Sequence, residues 1–320
     1  MMPERLFLEP RDLAIRRLEF HLVTRCGCRC AFCSEADRMA AFSREGFSFD
    51  EASALLTRCR GQGFNHLNLT GGEPTLFARL PDLLGLAKAL GYTTYLATNG
   101  LRTRQERYFA TLAPSLDQLC LSLHGARTAT HDGLTGIAGS FKGLMATLNH
   151  ARARRMALYA NTVATTANLP ELPAVAAIAR TAGFMGLLIS AVAPEGRGRE
   201  HYARLALPLG RWSEVARDVV REAGDGVNVR FFGLPLCLLG EHHALSNDLY
   251  FDPRMTVERV RLPSGKAGLV AVRAQRPSRE RSHPPVCDGC RYRGVCAGVF
   301  AHHLAMFPDD LTALSPVYAR

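Results

Sequence analysis

The sequence predicts an α/β protein made of repeated β-α units around a parallel sheet or barrel, followed by a small cysteine-rich α+β extension. Short apolar runs of β type alternate with helical runs from residue 18 to residue 224, and Gly and Pro separate them. Beyond that point the pattern becomes irregular and rich in cysteine. With 320 residues, 47% of them hydrophobic and 21% charged, the chain has the composition of a globular protein that buries a large core.

Six strands are predicted before residue 224. They lie at residues 18–24, 66–70, 93–98, 116–123, 157–164 and 186–192. The helices between and after them are predicted at residues 48–60, 82–90, 141–154, 172–182 and 212–223. Ser48 and Glu51 have the spacing of a capping box, which marks the start of the first of these helices.

A break at Gly224, Asp225 and Gly226 divides the chain. We therefore predict an N-terminal segment (1–17), a β-α domain (18–226) and a C-terminal domain (227–320). Within the last part, residues 256–272 contain two β-rich arms around Pro263, Ser264 and Gly265, which indicates a hairpin. This part is too short and irregular to hold a large apolar core, so a bound metal or cluster would stabilise it.

The formal charge of +10 comes mostly from arginines scattered along the whole chain. The densest group, Arg152, Arg154 and Arg155, lies at a predicted helix end, where cations are favoured. Nucleic acid is therefore a disfavoured partner, and an anionic substrate fits the charge better. No apolar stretch approaches the roughly 20 residues of a membrane span, and the first twelve residues are rich in charge. We expect a cytoplasmic protein with no membrane partner.

Ten cysteines without a secretory signal indicate a reducing compartment, where disulfides rarely persist. Seven of them form two tight groups with Cys237 between, and this distribution predicts metal or cluster ligation: Cys26, Cys28, Cys30, Cys33; Cys287, Cys290, Cys296. Cys59, on a helix, and Cys120, in a strand, are expected to be small buried hydrophobic residues.

The first group contains C-x3-C-x2-C at Cys26, Cys30 and Cys33, directly after the first strand. A four-iron cluster held by three cysteines keeps one iron open for another ligand, whereas a structural zinc site closes all four positions. Two alternatives remain open on the spacing: a zinc site that uses Cys28 as fourth thiolate, and a redox pair of Cys30 and Cys33.

The second strand ends in T-G-G-E-P at residues 70–74, which displays the carboxylate of Glu73 behind two residues without side chains, Gly71 and Gly72. Taken alone, this motif is also compatible with a glycine turn that carries a surface glutamate. Together with the cysteine motif it strongly resembles the radical S-adenosylmethionine (SAM) superfamily.

The resemblance covers roughly residues 18–200. It continues through A-T-N-G (97–100), S-L-H-G (122–125), H-D-G-L-T-G (131–136), G-S-F (139–141) and N-T-V (161–163). It implies a partial (β/α)6 barrel similar to a TIM barrel, with the active site at the carboxyl ends of the strands, as is general for such barrels.

For the N-terminal cysteines, the resemblance implies that Cys26, Cys30 and Cys33 bind a [4Fe-4S] cluster. The amino and carboxylate groups of SAM would chelate its open iron, and Glu73 with the Gly71-Gly72 backbone would receive the methionine ammonium. The chemistry implied is reductive cleavage of SAM to methionine and a 5'-deoxyadenosyl radical, which removes a hydrogen atom from the substrate. A low-potential donor of flavodoxin or ferredoxin type would supply the electron.

Other positions are assigned by the same resemblance. Ser122 and Asn161 look like polar contacts to the ribose or the methionine carboxylate, and Phe32 resembles the aromatic position beside the adenine. Asn99 in A-T-N-G is also expected to bind the cofactor, and residues 194–198 resemble the adenine-binding loop after the sixth strand.

Cys28 departs from the family pattern and creates a second register, Cys28, Cys30 and Cys33. We favour Cys26 because it restores the family spacing, and this leaves Cys28 without a role.

The second group reads C-x2-C-x5-C-x-G at Cys287, Cys290 and Cys296. It resembles the C-terminal auxiliary-cluster region of the SPASM and twitch subgroups, but Phe300 stands where the full SPASM pattern has its next cysteine. One auxiliary [4Fe-4S] cluster is expected, with Cys237 as fourth ligand. A zinc ribbon-like site is chemically open to the same thiolates, and without Cys237 the cluster would keep an open iron for substrate.

Many relatives with such a tail modify ribosomally made peptides, so a peptide is the leading substrate hypothesis. Fewer than twenty residues precede the first strand, so a peptide would need a separate recognition protein or no leader. A small anionic metabolite, such as a nucleotide or aminosugar, is the second hypothesis. A non-enzymatic cluster or zinc protein that binds nucleic acid is a remote third.

Overall fold

The strands that carry the candidate site lie side by side in chain order. The computed structural model describes residues 15–250, 254–264, 267–274 and 280–318; of the predicted N-terminal segment, only residues 15–17 fall within them. The parallel strands are β1 (Arg17–Val23), β2 (His66–Gly71), β3 (Thr93–Thr98), β4 (Gln118–Ser122), β5 (Ala157–Val163), β6 (Gly186–Ser190) and β7 (Asn228–Phe232).

Helices lie between and after the strands along the chain. They are α1 (Ala36–Phe42), α2 (Phe49–Gly61), α3 (Leu80–Ala89), α4 (Glu106–Leu112), α5 (Thr128–Thr135), α6 (Ser140–Ala153), α7 (Leu172–Ala182), α8 (Gly196–Glu200), α9 (Tyr202–Leu205), α10 (Trp212–Ala223) and α11 (Ala301–Met306). The predicted capping box is present, since the Ser48 side chain accepts from the Glu51 N–H and the Glu51 side chain accepts from the Ser48 N–H.

Alternation along β1 explains how one strand serves both core and site. Leu18, Phe20 and Leu22 are buried, and Phe20 packs edge-on against Phe47 at 4.7 Å between ring centroids. Glu19 and His21 point to the opposite face, into the space that the parallel strands enclose. Cys59 and Cys120 are buried, as predicted.

The C-terminal part joins the sheet. The predicted hairpin is confirmed as β8 (Arg254–Arg261) and β9 (Ala267–Ala274), although Gly265 at its turn lies outside the described residues. β8 pairs in parallel with β1, and the sheet order within the described ranges is β7-β6-β5-β4-β3-β2-β1-β8-β9. A short pair, β10 (Arg281–Ser282) and β11 (Val299–Phe300), follows.

The α/β class with a parallel-strand barrel-like sheet is therefore confirmed, with more strands than the six predicted. β7 is added because Val229 and Phe231 are buried against the core like the corresponding residues of β6. The division of the chain at residue 226 stays a prediction. In the part of the chain that the structure describes, no helix is both long and apolar enough to cross a membrane.

Candidate active site

A cleft of about 640 Å³ opens at the carboxyl ends of the parallel strands. Its lining contains all ten residues that the sequence predicted for the first cluster and its cofactor: Cys26, Cys30, Phe32, Cys33, Gly71, Gly72, Glu73, Asn99, Ser122 and Asn161. The volume falls within the roughly 300–1,000 Å³ of ordinary ligand pockets. Parallel strands bring their carboxyl ends to one edge, which is why motifs far apart in sequence meet here.

The cysteine loop follows β1 and presents its thiols to this cleft. The Sγ of Cys26 accepts from the backbone N–H of Cys28 at 3.3 Å and from the Asn99 side-chain amide at 3.5 Å. The Cys33 N–H donates to the Cys30 carbonyl at 3.2 Å, which closes the C-x2-C turn. N–H groups directed at sulfur favour a thiolate, so this loop suits a bound metal cluster.

The protonation state of these thiols depends on whether a metal is bound. A hydrogen bond with the Cys28 thiol and burial both raise the pKa of Cys26. The hydrogen bond with Cys26 lowers the pKa of Cys28, but contact with Cys30 and burial raise it to about 12. Such thiols stay protonated at neutral pH unless a metal deprotonates them.

Neighbouring segments fix the loop from two sides. The backbone N–H groups of Arg29 and Ala31 donate to carbonyls at the end of α5, at 2.8 and 3.0 Å. On the other side, the Arg197 N–H donates to the Cys33 carbonyl at 3.0 Å and its guanidinium to the Cys30 carbonyl at 3.1 Å. A Cβ on Gly196 would lie 2.5 Å from the Cys33 carbonyl oxygen, so only glycine permits this approach. The predicted adenine-binding loop, residues 194–198, thus packs on the cysteine loop.

The G-G-E-P loop lies against the start of the cysteine loop. The Gly72 N–H donates to the Val23 carbonyl at 2.7 Å, and the Glu73 N–H donates to the Arg25 carbonyl at 2.8 Å. A Cβ on Gly72 would lie 2.3 Å from the Arg25 carbonyl oxygen. This contact explains the second glycine of the motif.

The carboxylate of Glu73 is buried and surrounded by donors. One oxygen accepts from the Thr75 N–H at 3.1 Å, the Thr75 hydroxyl at 2.6 Å and the Thr98 hydroxyl at 2.8 Å, and the other accepts from the Asn99 N–H at 2.8 Å. Burial raises the pKa of Glu73, and these hydrogen bonds oppose that effect. A cationic ligand beside the carboxylate would lower the pKa again. The site is therefore suited to an ammonium group.

The remaining predicted residues lie around the same space. Ser122 and Asn161 are directly opposite each other on β4 and β5, and the Ser190 hydroxyl donates to the Asn161 side-chain oxygen at 3.4 Å. Phe32 is buried and meets the ring of His124 edge-on, with 4.6 Å between centroids. Polar groups and an aromatic ring at one end of a cleft are what a nucleoside requires.

One wall of the cleft, not predicted from the sequence, carries six charged groups: Glu19, His21, Glu35, Arg38, Arg254 and Glu258. Arg254 pairs with Glu19 at 2.7 Å, and Arg38 pairs with Glu258 at 2.6 Å. The alternation of β1 could have placed Glu19 and His21 on this face. The residues from β8 could not be found, because the pairing of β8 with β1 is a long-range contact.

Burial alone would lower the pKa of His21, but hydrogen bonds with Glu19 and Glu35 and their charges raise it to about 9. For Glu35 the directions are reversed. Burial alone would raise the pKa of its carboxyl, but His21 and Arg38 lower it to about 2. The charged wall therefore holds a protonated imidazole between carboxylates at neutral pH, beside the carboxyl end of β1.

The second cysteine group lies in the C-terminal part and repeats the features of the first. The Cys290 N–H donates to the Cys287 carbonyl at 3.1 Å. The Sγ of Cys296 accepts from the backbone N–H of Gly298 at 3.4 Å and of Leu236 at 3.5 Å. Burial raises the pKa of Cys287, and Cys237, Cys296 and Cys290 raise it further.

Phe300, which stands where the full SPASM pattern has its next cysteine, is buried. The guanidinium of Arg281 lies over its ring at 4.5 Å. Among the described residues, no three His, Cys, Asp or Glu side chains are arranged to hold a single metal ion.

Comparison with known proteins finds a family model that matches within the β-α part. Residues 21–172 match the model of the radical SAM superfamily. The chain is 33% identical over 211 residues to the PqqA peptide cyclase of Ruegeria pomeroyi, covering 63% of this chain and 54% of the relative. It is 28% identical over 190 residues to the AdoMet-dependent heme synthase of Methanosarcina barkeri, covering 58% of this chain and 53% of the relative. The chain thus spans about half the length of the curated relatives it matches.

Two solved structures resemble the whole architecture. Streptococcus suis SuiB bound to S-adenosylmethionine superposes with a TM-score of 0.62 at 15% identity, covering 92% of this chain and 75% of SuiB. Native anSMEcpe with bound AdoMet and Cp18Cys peptide gives a TM-score of 0.57 at 12% identity, covering 93% of this chain and 96% of anSMEcpe. At these identities the likeness establishes the fold.

Proposed function

Because residues 21–172 of this chain match the model of the radical SAM superfamily, we propose that the protein is an enzyme that cleaves S-adenosylmethionine reductively and takes a hydrogen atom from a peptide. One observation carries the proposal: the C-x3-C-x2-C thiols and the buried carboxylate of G-G-E-P line the same cleft. Neither motif alone distinguishes this chemistry from a metal site or a turn.

Cys26, Cys30 and Cys33 are the proposed ligands of a [4Fe-4S] cluster. The donor set fits, because three thiols leave one iron free for a cofactor, and two N–H groups are directed at the Sγ of Cys26. When bound, the cluster supplies the electron that cleaves S-adenosylmethionine to methionine and the 5'-deoxyadenosyl radical. The protein contributes what the cofactor cannot, which is orientation and exclusion of water.

Glu73, with the Gly71-Gly72 backbone, receives the methionine ammonium. Its charge is held in a site without bulk water, where the attraction to a cation is strengthened. Ser122, Asn161 and Asn99 bind the ribose or methionine carboxylate, and Phe32 with residues 194–198 forms the adenine end. This arrangement leaves the charged wall of β1, α1 and β8 free to face the substrate.

Cys237, Cys287, Cys290 and Cys296 are the proposed ligands of a second, auxiliary [4Fe-4S] cluster. The N–H groups directed at Cys296 support this assignment, because one of them belongs to Leu236, the residue before Cys237, and the C-x2-C turn joins Cys287 to Cys290. The cluster would stabilise a part of the chain in which the described elements after β9 are short.

A peptide is the substrate class that we propose. PqqA peptide cyclases are among the relatives, and the fold is that of SuiB, which has been solved with its precursor peptide SuiA. Heme synthases match a region of similar length, so the shared part carries the SAM chemistry and the substrate must be tested. The proposal also includes a flavodoxin or ferredoxin type donor and a separate peptide-recognition protein. A cytoplasmic location is proposed because all ten cysteines are free thiols.

The test begins with anaerobically reconstituted protein, S-adenosylmethionine and a strong reductant. We expect release of 5'-deoxyadenosine, abolished by Cys26→Ala, Cys30→Ala or Cys33→Ala and retained in Cys59→Ala. Iron content should fall from about eight to about four atoms per chain when the four C-terminal cysteines are replaced by Ala. Release that is unaltered in the first three variants contradicts the proposal, and zinc at the C-terminal site contradicts the auxiliary cluster.

The substrate class is tested with a deuterated precursor peptide encoded beside the gene. Transfer of deuterium to 5'-deoxyadenosine is expected for a peptide substrate. Cleavage of SAM without any label transfer contradicts the peptide assignment and leaves the cofactor chemistry intact.

A further inference from the structure

One thiol in the cleft has no part in the proposed ligand set. Cys28 is only 4% exposed and lines the cleft together with the three proposed ligands. Its backbone N–H donates to the Sγ of Cys26 at 3.3 Å, so the two residues are in direct contact. Four thiols therefore face the position proposed for a cluster that needs three.

The position of Cys28 relative to Glu73 indicates which part of a cluster it would meet. The Sγ of Cys26 accepts from the Cys28 N–H at 3.3 Å and from the Asn99 side-chain amide at 3.5 Å, and the Asn99 N–H donates to the Glu73 carboxylate at 2.8 Å. Glu73 is the residue proposed to hold the methionine ammonium, so Cys28 lies on the side of the cluster where the cofactor binds. The open iron is on that side too, because the amino group of the cofactor is one of its ligands.

When no cofactor is present, the open iron is expected to bind a thiolate. Thiolates are preferred ligands of iron in such clusters. Cys28 belongs to the same short loop as the other three ligands, so its effective concentration at the open iron is far above that of a solute.

We propose that the Cys28 thiolate binds the fourth iron of the resting cluster and that S-adenosylmethionine displaces it. This inference rests on the proposed function. When Cys28 binds, its thiol proton goes to solvent; when the cofactor binds, the iron-sulfur bond to Cys28 breaks and the thiolate takes a proton back. No electron is transferred in the exchange. The device closes the cluster until the cofactor arrives, and it lowers the apparent affinity for the cofactor.

The test compares the wild-type protein with Cys28→Ala and Cys28→Ser, both loaded with iron anaerobically. Cys28→Ser keeps the shape of the buried side chain, and Cys59→Ala, in α2 and 1% exposed, is the matched control for loss of a buried thiol. The readouts are iron content and the electron paramagnetic resonance spectrum of the reduced cluster, recorded without cofactor and during a titration with S-adenosylmethionine. C-terminal cysteines are replaced by Ala in all samples, so that only the first cluster contributes.

We expect Cys28→Ala to keep its four iron atoms, to change the cofactor-free spectrum and to reproduce the wild-type spectrum once S-adenosylmethionine is bound. The apparent affinity for S-adenosylmethionine should rise roughly threefold or more, because the competing ligand is gone. Cys59→Ala should match the wild type in every respect.

Cofactor-free spectra that are identical in wild type, Cys28→Ala and Cys28→Ser overturn the inference. So does loss of the cluster in Cys28→Ala with retention in Cys26→Ala, since Cys28 would then be one of the three permanent ligands. A wild-type spectrum that does not respond to S-adenosylmethionine overturns the proposed function as well, and this outcome is distinct from the first two.

Discussion

The backbone N–H of Glu73 donates to the carbonyl oxygen of Arg25, the residue before Cys26, at 2.8 Å. This single bond connects the loop that carries the proposed ammonium acceptor to the loop that carries the proposed cluster ligands. Each loop therefore sets the position of the other, and a change in the glycines between them should affect both.

Gly72→Ala should disturb this contact. A Cβ at position 72 would lie 2.3 Å from the Arg25 carbonyl oxygen, and the obstacle is backbone. We expect a loss of about 1–3 kcal/mol in the free energy of unfolding, together with weaker binding of S-adenosylmethionine. Urea unfolding and a cofactor titration measure the two effects. Gly61→Ala is the control, since nothing lies within 4 Å of its Cβ in α2; equal behaviour of the two variants would contradict the argument.

Glu73→Gln should separate cofactor binding from cluster binding. The variant keeps the size of the side chain but removes the charge that faces the methionine ammonium. We expect unchanged iron content and an affinity for S-adenosylmethionine lower by roughly 10- to 150-fold, the size of a hydrogen bond to a charged group. Glu45→Gln, which removes a surface partner of Arg261, should change neither quantity. An unaltered affinity in Glu73→Gln would show that the ammonium binds elsewhere.

His21 should contribute stability that depends on pH. Its pKa is about 9 in the folded protein against an ordinary 6.5, and the charged groups around it are Glu19 on β1, Glu35 just before α1, Arg38 on α1, and Arg254 and Glu258 on β8. Protons bind more tightly to the folded state, so the stabilisation is fully present below pH 6.5 and is lost as the pH rises through 9. The full effect is roughly 3 kcal/mol.

We therefore expect His21→Gln to be less stable than the wild type at pH 6 and to approach it at pH 9.5. The measurement is the difference in free energy of unfolding between the two proteins across this range. A constant difference for His21→Gln would mean that folding does not shift the pKa of His21.

Asp132 connects two motifs of the sequence resemblance to which no role was assigned, H-D-G-L-T-G and G-S-F. Its carboxylate accepts from the Phe141 N–H at 2.8 Å, the Gly139 N–H at 2.6 Å and the Ser140 hydroxyl at 2.8 Å, at the start of α6. Asp132→Asn should cost about 0.5–2 kcal/mol of stability, as for other caps of helix N-termini, and leave iron content unchanged. Asp218→Asn, in a surface pair with Arg221, is the control. Loss of iron in Asp132→Asn would assign the residue to the cofactor site.

Much of the fold was accessible from the sequence because its signals are local. β3 at residues 93–98, α7 at 172–182 and α10 at 212–223 have the predicted bounds, since alternation, helical periodicity and Gly or Pro boundaries act over a few residues. The pairing of β8 with β1 depends on contacts between residues more than two hundred positions apart, and no local pattern encodes it.

The same distinction applies to the candidate site. Cys26, Glu73 and Asn161 could be found because each stands in a motif directly after or at the end of a strand, and parallel strands end together. Arg254 and Glu258 carry no motif, and they reach the cleft only through the strand pairing that the sequence did not reveal. Substrate recognition is thus the part of the site that the sequence predicts least.

The buried pair of Arg281 and Asp248 should support the C-terminal thiols. The two side chains are 4% and 1% exposed, joined at 2.8 Å, and the Arg281 guanidinium also donates to the Gly298 carbonyl at 3.4 Å, while the Gly298 N–H donates to Cys296. Arg281→Met leaves the carboxylate buried without its partner, so we expect a loss of about 3–5 kcal/mol and reduced iron at the second site. Adding Asp248→Asn removes the unpaired charge and should restore part of the stability.

Arg293→Met, in an exposed pair with Asp288, should cost less than about 1 kcal/mol. If Arg281→Met costs no more than Arg293→Met in urea unfolding of the iron-loaded protein, the buried pair does not stabilise this region.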